Sequence, residues 1–217
     1  MSNPWDERFD AYRNSQTHAD GADLDSFIEW CEPEPDLTVL DVATGGGHVA
    51  RRLRDCGCIV TTCDVAAGMR PDVVCSAEDL PFEDESFDVV TCRLAPHHFT
   101  SVQAAVSEMA RVSRGPVVIE DSLYSSEEVE QAERLRDPTH VRSYSENEWL
   151  GFCEWAALDV PLVGFFLKRH PMDQWLATTG CKGKTAARVR ELLASLSEPD
   201  GSAWTDKKLL IRADKTS

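Results

Sequence analysis

A glycine-rich stretch between two acidic residues is the part of this sequence best suited to hold a ligand. Asp41 follows the short apolar run 37–40, and three glycines occupy positions 45–47 before a run compatible with a helix. Asp64 ends a second apolar run, roughly 20 residues beyond the glycines. Glycine tolerates positive φ and lets a ligand approach the backbone closely, and a helix start presents free N–H groups. The spacing predicts a nucleotide-like ligand above the ends of two parallel strands.

Two ligand classes fit this spacing. The pattern Gly45-x-Gly47-x-x-Ala50 matches the fingerprint of dinucleotide-binding domains, and Asp64 lies where that fingerprint places its ribose-binding acid. However, the carboxylate of Asp41 beside the glycines would repel a pyrophosphate and would suit a cation. S-adenosylmethionine carries a sulfonium and an ammonium group, and it has a ribose but no phosphate. We therefore favour this methyl donor over a nicotinamide cofactor, with Asp64 accepting both ribose hydroxyls.

Histidines supply the candidate catalytic groups. Methyl transfer from a sulfonium is an in-line displacement, in which the protein mainly holds the nucleophile and the methyl group in line. A base is needed only when the acceptor loses a proton, and His97 and His98, which follow the fourth predicted strand, are the candidates. Alternatively, one of them packs against the next helix and the other caps it. Tyr12, His18 and His140 are candidates for contact with the acceptor, although the N-terminal aromatic residues could equally serve only to attach that segment.

Composition limits the class of protein. A chain of 217 residues suits one α/β domain, and it has no apolar run of about 18 residues that could span a membrane. The first residues lack the features of a signal peptide, so we expect a cytoplasmic protein. The net charge of −16, from 38 acids and 22 bases, argues against nucleic acid as a partner. The eight cysteines include no CxxC pair, so we expect free thiols and no metal site.

Strands and helices alternate along most of the chain, which is typical of a doubly wound sheet. Strands are predicted at 37–41, 59–64, 72–75, 87–92, 116–121, 162–168 and 208–212. Helices are predicted at 23–31, 48–56, 100–112, 127–136, 146–157, 171–179 and 184–196. Thr100 or Ser101 should cap the third of these helices, and the pair Ser145 and Glu148 forms a capping box for the fifth.

Two segments depart from simple alternation. Residues 65–71 are too few for an ordinary crossover helix, so we predict at most one helical turn and a locally uncovered sheet face. Residues 122–157 leave the carboxyl end of the fifth strand and are charged at first, so they could form a lid on the acceptor side. Together with the N-terminal helical segment 1–31, they would belong to a single domain covering 1–217.

Several of these pieces, in this order, resemble a known family. They are VLDVATGGGHVA (39–50), TTCDVAAGM (61–69), SAEDLPFEDESFDVVTCRLAPHHF (76–99), RVSRGPVVIED (111–121) and LRDPTHVRSYSENEW (135–149). The sequence resembles class I S-adenosylmethionine-dependent methyltransferases of the ubiquinone/menaquinone C-methyltransferase-like group. The resemblance implies a Rossmann-like, mostly parallel seven-stranded sheet with helices on both faces and an antiparallel last strand. It also implies S-adenosylmethionine as cofactor and a small-molecule acceptor, although a non-catalytic protein that binds the same cofactor would share these motifs.

The resemblance also implies the residues that hold the cofactor. These are Asp41, Ala43, Thr44, Gly45 and Gly47 around its methionine part, Asp64 at the ribose, Val65, Met69, Ala77 and Glu78 around the adenine, and Arg93 and Leu94 below the methyl group. Two features depart from the family. Ser76 replaces the usual Asp near the adenine, and the helix after the second strand is almost absent.

Overall fold

One mixed sheet of seven strands runs through the part of the chain that the computed structural model describes, residues 5, 6, 8–15 and 19–216. The strands are β1 (Thr38–Val42), β2 (Ile59–Asp64), β3 (Val73–Val74), β4 (Val89–Arg93), β5 (Val117–Ser122), β6 (Leu158–Pro171) and β7 (Ala203–Lys215). Their order in the sheet is β3-β2-β1-β4-β5-β7-β6. The first five strands pair in parallel, whereas β7 is antiparallel to both neighbours. The predicted Rossmann-like fold and its antiparallel last strand are confirmed.

Helices cover both faces of the sheet. They are α1 (Phe9–Arg13), α2 (Ala22–Trp30), α3 (His48–Asp55), α4 (Val102–Val112), α5 (Glu127–Arg136), α6 (Glu146–Trp155), α7 (Met172–Thr178) and α8 (Gly183–Leu192). On one face α2 and α3 bury Phe27 and Leu53 in a single apolar cluster, and on the other α4 and α6 bury Met109 and Trp149. No helix in the described residues is both long enough and apolar enough to cross a membrane.

The predicted helix caps are present. The hydroxyl of Ser101 accepts the backbone N–H of Ala104 at the start of α4. Ser145 and Glu148 form the reciprocal capping box at the start of α6. Each such cap stabilises its helix by about 1 kcal/mol, because it satisfies N–H groups that the helix itself leaves unbonded. Because these contacts join residues only three apart in the chain, the sequence alone could predict them.

The β2–β3 connection is as short as predicted. It contains a single 3-10 turn, Ala67–Met69, and β3 spans two residues instead of the four predicted. Val74 in this edge strand is 57% exposed, so its sheet face lacks a covering helix. Instead, the N-terminal segment reaches this turn, where the backbone N–H of Gly68 donates to Asp6 at 2.8 Å.

The last two strands are much longer than predicted. β6 and β7 pair from Leu158 with Lys215 to Pro171 with Ala203, beyond the predicted runs 162–168 and 208–212. The two strands extend past the sheet, and a third apolar cluster forms at their far end. This cluster contains Val129 of α5, Trp175 of α7, Val189 of α8 and Trp204 of β7. The segment after β5 is therefore anchored on these helices.

Candidate active site

The loop between β1 and α3 turns sharply at the carboxyl edge of the sheet. Ala43, Gly45 and Gly47 all have positive φ, and Gly47 is the residue immediately before α3. A Cβ on Gly46 would lie 2.8 Å from the carbonyl carbon of Tyr12, so only glycine lets the N-terminal segment approach this loop. The loop is thus enclosed on one side by the sheet and on the other by α1.

Asp41 is buried inside β1, one residue before its end. Its carboxylate accepts hydrogen bonds from the hydroxyls of Thr44 at 2.6 Å and Thr91 at 3.0 Å. Burial raises the pKa of Asp41 to about 6, although both hydrogen bonds oppose the shift. A carboxylate that is desolvated and bonded by these neutral hydroxyls gains from a cation placed next to it.

Asp64 lies at the end of β2, on the other side of the glycine loop. One carboxylate oxygen accepts the N–H of Gly45 at 3.0 Å and the other accepts the N–H of Ala66 at 2.9 Å. Burial raises the pKa of Asp64, and the two N–H groups oppose that shift. The N–H of Val65 also opposes the shift, and a carboxylate with about four lone-pair sites can still accept a hydroxyl hydrogen beside these three donors.

These two acids face one cleft, which encloses about 870 Å³ including its open mouth. The cleft is lined by nine of the residues that the resemblance implies: Asp41, Ala43, Thr44, Gly45, Asp64, Val65, Met69, Arg93 and Leu94. Its lining also includes Trp5, Tyr12, His48, His98 and Phe99.

Three residues implied by the resemblance do not line this cleft. Gly47 lines a separate groove on the outer side of the glycine loop. Ala77 is buried in the apolar core. Glu78 bonds the hydroxyl of Ser76 and accepts the N–H groups of Thr100 and Ser101, so its carboxylate holds the entry to α4. Ser76 thus binds a neighbouring side chain at the position where the family usually has an acid.

Arg93 forms part of the cleft floor, but its guanidinium group is paired with two buried acids. It donates to Glu120 and to Asp23, each at 2.5 Å, and Lys168 donates to the same Asp23 at 2.5 Å. Burial raises the pKa of Glu120 to about 7, and Arg93 opposes the shift. This buried network joins α2, β4, β5 and β6 directly below the cleft.

The adjacent histidines after β4 have different surroundings. His98 lines the cleft, and its Nδ1 lies 3.0 Å from the carbonyl oxygen of Thr139. Since a carbonyl can only accept, Nδ1 carries the hydrogen and Nε2 carries the lone pair of the neutral ring. Burial and the nearby charge of His97 hold the pKa of His98 well below its usual range. His98 is therefore a neutral ring with a fixed tautomer.

His97 does not line the cleft. Its Nδ1 lies 2.5 Å from the carboxylate of Asp121, and its ring lies behind that of His98 with centroids 4.1 Å apart. Burial alone would lower the pKa of His97, but the charge and hydrogen bond of Asp121 outweigh it and raise the pKa. The structure thus places His97 where it can support His98 and not where it can touch a ligand in the cleft.

Comparison with known proteins agrees with this geometry. Residues 40–116, which include the glycine loop, Asp64 and both histidines, match a methyltransferase domain family. The uncharacterized methyltransferase YcgJ of Bacillus subtilis is 35% identical, over 92% of this chain and 87% of its own length. The chain belongs to the class I S-adenosylmethionine-dependent methyltransferases. The enzyme's cofactor is therefore S-adenosylmethionine.

Two further comparisons place the methyltransferase within its family. The crystal structure of B. subtilis YcgJ superposes with a TM-score of 0.81 at 26% identity, covering 89% of this chain and 98% of that one. A demethylmenaquinone methyltransferase of Beutenbergia cavernae is 40% identical, over 37% of this chain and 38% of its own length. The cleft suits the cofactor because Asp41 offers a buried negative charge, and Arg93, which is paired with acids, is the one arginine among the described residues that line the cleft.

The three residues predicted on the acceptor side of the methyltransferase have different positions. Tyr12 lines the cleft. His140 is buried outside it, with Nε2 3.1 Å from Glu130 and its ring 6.3 Å from that of His98. His18 lies outside the described residues. Trp5, which was not singled out from the sequence, packs edge-on to His98 with centroids 4.5 Å apart.

The N-terminal segment of the methyltransferase closes over the cleft. The carbonyl of Tyr12 accepts from Nε2 of His48 at 2.8 Å, and Arg8 pairs with the buried Asp137 at 2.9 Å. Asp137 in turn accepts the N–H and hydroxyl of Thr139, the residue whose carbonyl holds His98. The N-terminal segment therefore does more than attach itself to the domain, because Asp137, which pairs with its Arg8, also holds the turn that bonds His98.

Proposed function

We propose that this methyltransferase methylates a small, mainly apolar molecule at an acidic X–H group, with His98 accepting the proton. The observation that carries the proposal is the hydrogen bond from Nδ1 of His98 to Thr139, because it leaves Nε2 as the basic nitrogen on a residue of the cleft. When bound, S-adenosylmethionine supplies a methyl group already activated on a sulfonium centre. The chain's own residues then need only bind, orient and accept a proton.

The cofactor assignments follow the two acids. Asp41 would hold the cationic part, since its buried carboxylate is otherwise compensated by hydroxyls. Asp64 would bind the ribose through the accepting capacity that its backbone N–H partners leave open. Val65 and Met69 would contact the adenine. Glu78 and Ala77 are left out of this proposal because they do not line the cleft.

The low pKa of His98 narrows the class of acceptor. A base works best when its pKa is near the operating pH, and a weaker base removes only a relatively acidic proton efficiently. This supports an acceptor such as a phenol, an enol or a thiol over one with an unactivated C–H bond.

The lining around His98 supports a small apolar acceptor. Trp5, Tyr12, Leu94 and Phe99 surround this end of the cleft. Aromatic and aliphatic walls with few polar groups are typical of sites for apolar ligands. A relative that matches 37% of this chain is named a demethylmenaquinone methyltransferase, which supports a small-molecule acceptor. The net charge of −16 supports a partner other than nucleic acid.

A ligand panel followed by an acceptor screen tests this function. Thermal unfolding with S-adenosylmethionine or S-adenosylhomocysteine should show stabilisation by about 2.7 kcal/mol at 100 times the dissociation constant. S-adenosylhomocysteine release should then be measured across small phenols, enols and thiols, with the corresponding methyl ethers and thioethers as matched controls. Turnover of the ethers, or of none of the acidic compounds, would contradict the proposal.

A further inference from the structure

A groove on the outer side of the glycine loop gathers positive charge in a strongly acidic protein. It is lined by Arg13 of α1, by Arg51 and Arg54 of α3, and by Arg70 after the Ala67–Met69 turn. Among the described residues, Asp10 is the one acid in its lining. The chain as a whole carries 38 acids and 22 bases, so four arginines in one groove need an explanation.

Three of these arginines have no acidic partner. Within the described residues, Arg13, Arg51 and Arg70 have no carboxylate oxygen within 4.0 Å, whereas every other arginine has one. All three line the same groove, although they come from three separate stretches of the chain. The fourth, Arg54, reaches Asp72 only at 3.4 Å.

Neutral groups hold these arginines in place. Arg51 donates to the carbonyl of Gly46 and to Nδ1 of His48, each at 2.7 Å. The guanidinium groups of Arg70 and Arg13 lie over the ring of Phe9, at 4.7 and 5.7 Å from its centroid. Burial, together with the charge of Arg13, lowers the pKa of Arg51. Among the described residues, the guanidinium groups of Arg13, Arg51 and Arg70 are thus held in one groove without a carboxylate in direct contact with them.

We propose that this groove binds a phosphate or diphosphate group, either free or carried by a nucleotide. Arginine forks bind the oxygens of such groups in pairs, and a multiply charged anion relieves the repulsion among several arginines at once. The groove shares Thr44, Gly45, Gly46 and Met69 with the cofactor cleft, so it lies directly behind that cleft. S-adenosylmethionine has no phosphate, so the groove serves a second ligand, and the inference stands independently of the methyl acceptor.

Calorimetric titration with pyrophosphate tests the site directly. Binding at low ionic strength should weaken about tenfold for each of Arg13→Gln and Arg70→Gln, and further for the double variant. Lys184→Gln is the matched control, since Lys184 is an exposed cation on α8 with no carboxylate within 4.0 Å among the described residues, and it should leave binding unchanged. Absence of pyrophosphate binding, or equal weakening by Lys184→Gln, would overturn the proposal.

Two further arms identify the ligand and exclude the cofactor as its source. If ADP binds more tightly than pyrophosphate, the ligand is a nucleotide. If the two bind equally, the diphosphate group alone is recognised, and either result supports the site. S-adenosylhomocysteine should bind the arginine variants as tightly as the unmodified protein, which also shows that they fold. If its affinity falls tenfold instead, and pyrophosphate displaces it, the arginines serve the cofactor's carboxylate and the proposed site does not exist.

Discussion

The two sides of the cleft differ in how much short-range contacts contribute to them. On the glycine-loop side, Asp41 bonds Thr44 three residues further on and Asp64 bonds Ala66 two residues further on, and each acid also has one more distant partner, Thr91 and Gly45 respectively. On the histidine side, His97 bonds an acid 24 residues away and His98 bonds a carbonyl 41 residues away. The first side is therefore partly set by short motifs, whereas these histidine bonds of the second side form only once β5 and the 137–140 turn are in place.

This difference explains why two adjacent histidines have opposite electrostatic states. Sequence position gives His97 and His98 the same neighbours and the same candidate role. Tertiary structure gives His97 a carboxylate that raises its pKa, and gives His98 a buried position beside His97 that lowers it. Substitutions on the two sides should therefore change different measurements. Those on the histidine side should change catalysis and pH-dependent stability, and those on the glycine-loop side should change cofactor affinity.

The largest effect is expected from removing the proposed base. His98→Gln should lower kcat by about 100- to 10,000-fold for an acceptor that must lose a proton, because no other neutral imidazole is held at that position. Binding of S-adenosylhomocysteine should change little. In the unmodified enzyme, kcat should be flat from pH 6 to pH 8, since His98 is already neutral there. A bell-shaped profile centred on neutral pH would point to a different base.

His97 should matter for stability in a way that depends on pH. Its folded pKa is raised above the unfolded value of about 6.5, so its contribution is fully present below that pH and is lost as the pH rises through the folded pKa. His97→Gln breaks a buried pair and should cost about 3 kcal/mol of unfolding free energy at pH 6, and less at pH 9. Denaturant titration at the two pH values measures this.

His170 provides a matched control for that measurement. It bonds Asp206 at 3.0 Å, much as His97 bonds Asp121, but burial outweighs this contact and lowers its pKa. Its neutral form is favoured in the folded state, so His170→Gln should cost at least as much at pH 9 as at pH 6. The same pH dependence in both variants would show that the Asp121 contact does not set the behaviour of His97.

The sequence predicted most of the fold and the loop side of the site. Helix α5 and strand β2 have the predicted bounds, because apolar periodicity and local caps determine them. The extension of β6 and β7 could not be predicted, since their outer pairs involve polar residues and are stabilised by α7 and α8. The different surroundings of His97 and His98 could not be predicted from the sequence either, because they depend on the distant residues Asp121 and Thr139. The interspersed aromatics of the N-terminal segment were the one signal that could have identified Trp5.

A substitution on the glycine-loop side should have a smaller effect, on cofactor affinity, and should leave the contacts of His97 and His98 unchanged. Asp64→Asn keeps the shape of the side chain but removes its charge and half of its accepting capacity, so S-adenosylhomocysteine should bind about 100-fold more weakly. Calorimetry measures this, with Asp55→Asn, an exposed acid at the end of α3, as the control. If the control weakens binding equally, general electrostatics and not the Asp64 contact is responsible.

The smallest effect concerns the charge on Asp41. Because burial raises its pKa to about 6, part of the carboxylate is protonated below that pH, and cofactor binding must drive the proton off. Affinity for S-adenosylmethionine should therefore be constant from pH 7 to pH 8 and should fall by up to about tenfold for each pH unit below 6. Asp41→Asn should bind more weakly at pH 7 and lose this pH dependence. Glu120, with a pKa of about 7, is the competing source of a pH effect on cofactor affinity. If the affinity of Asp41→Asn still changes with pH, with a midpoint near 7, the titrating group belongs to the Arg93–Glu120 network below the cleft.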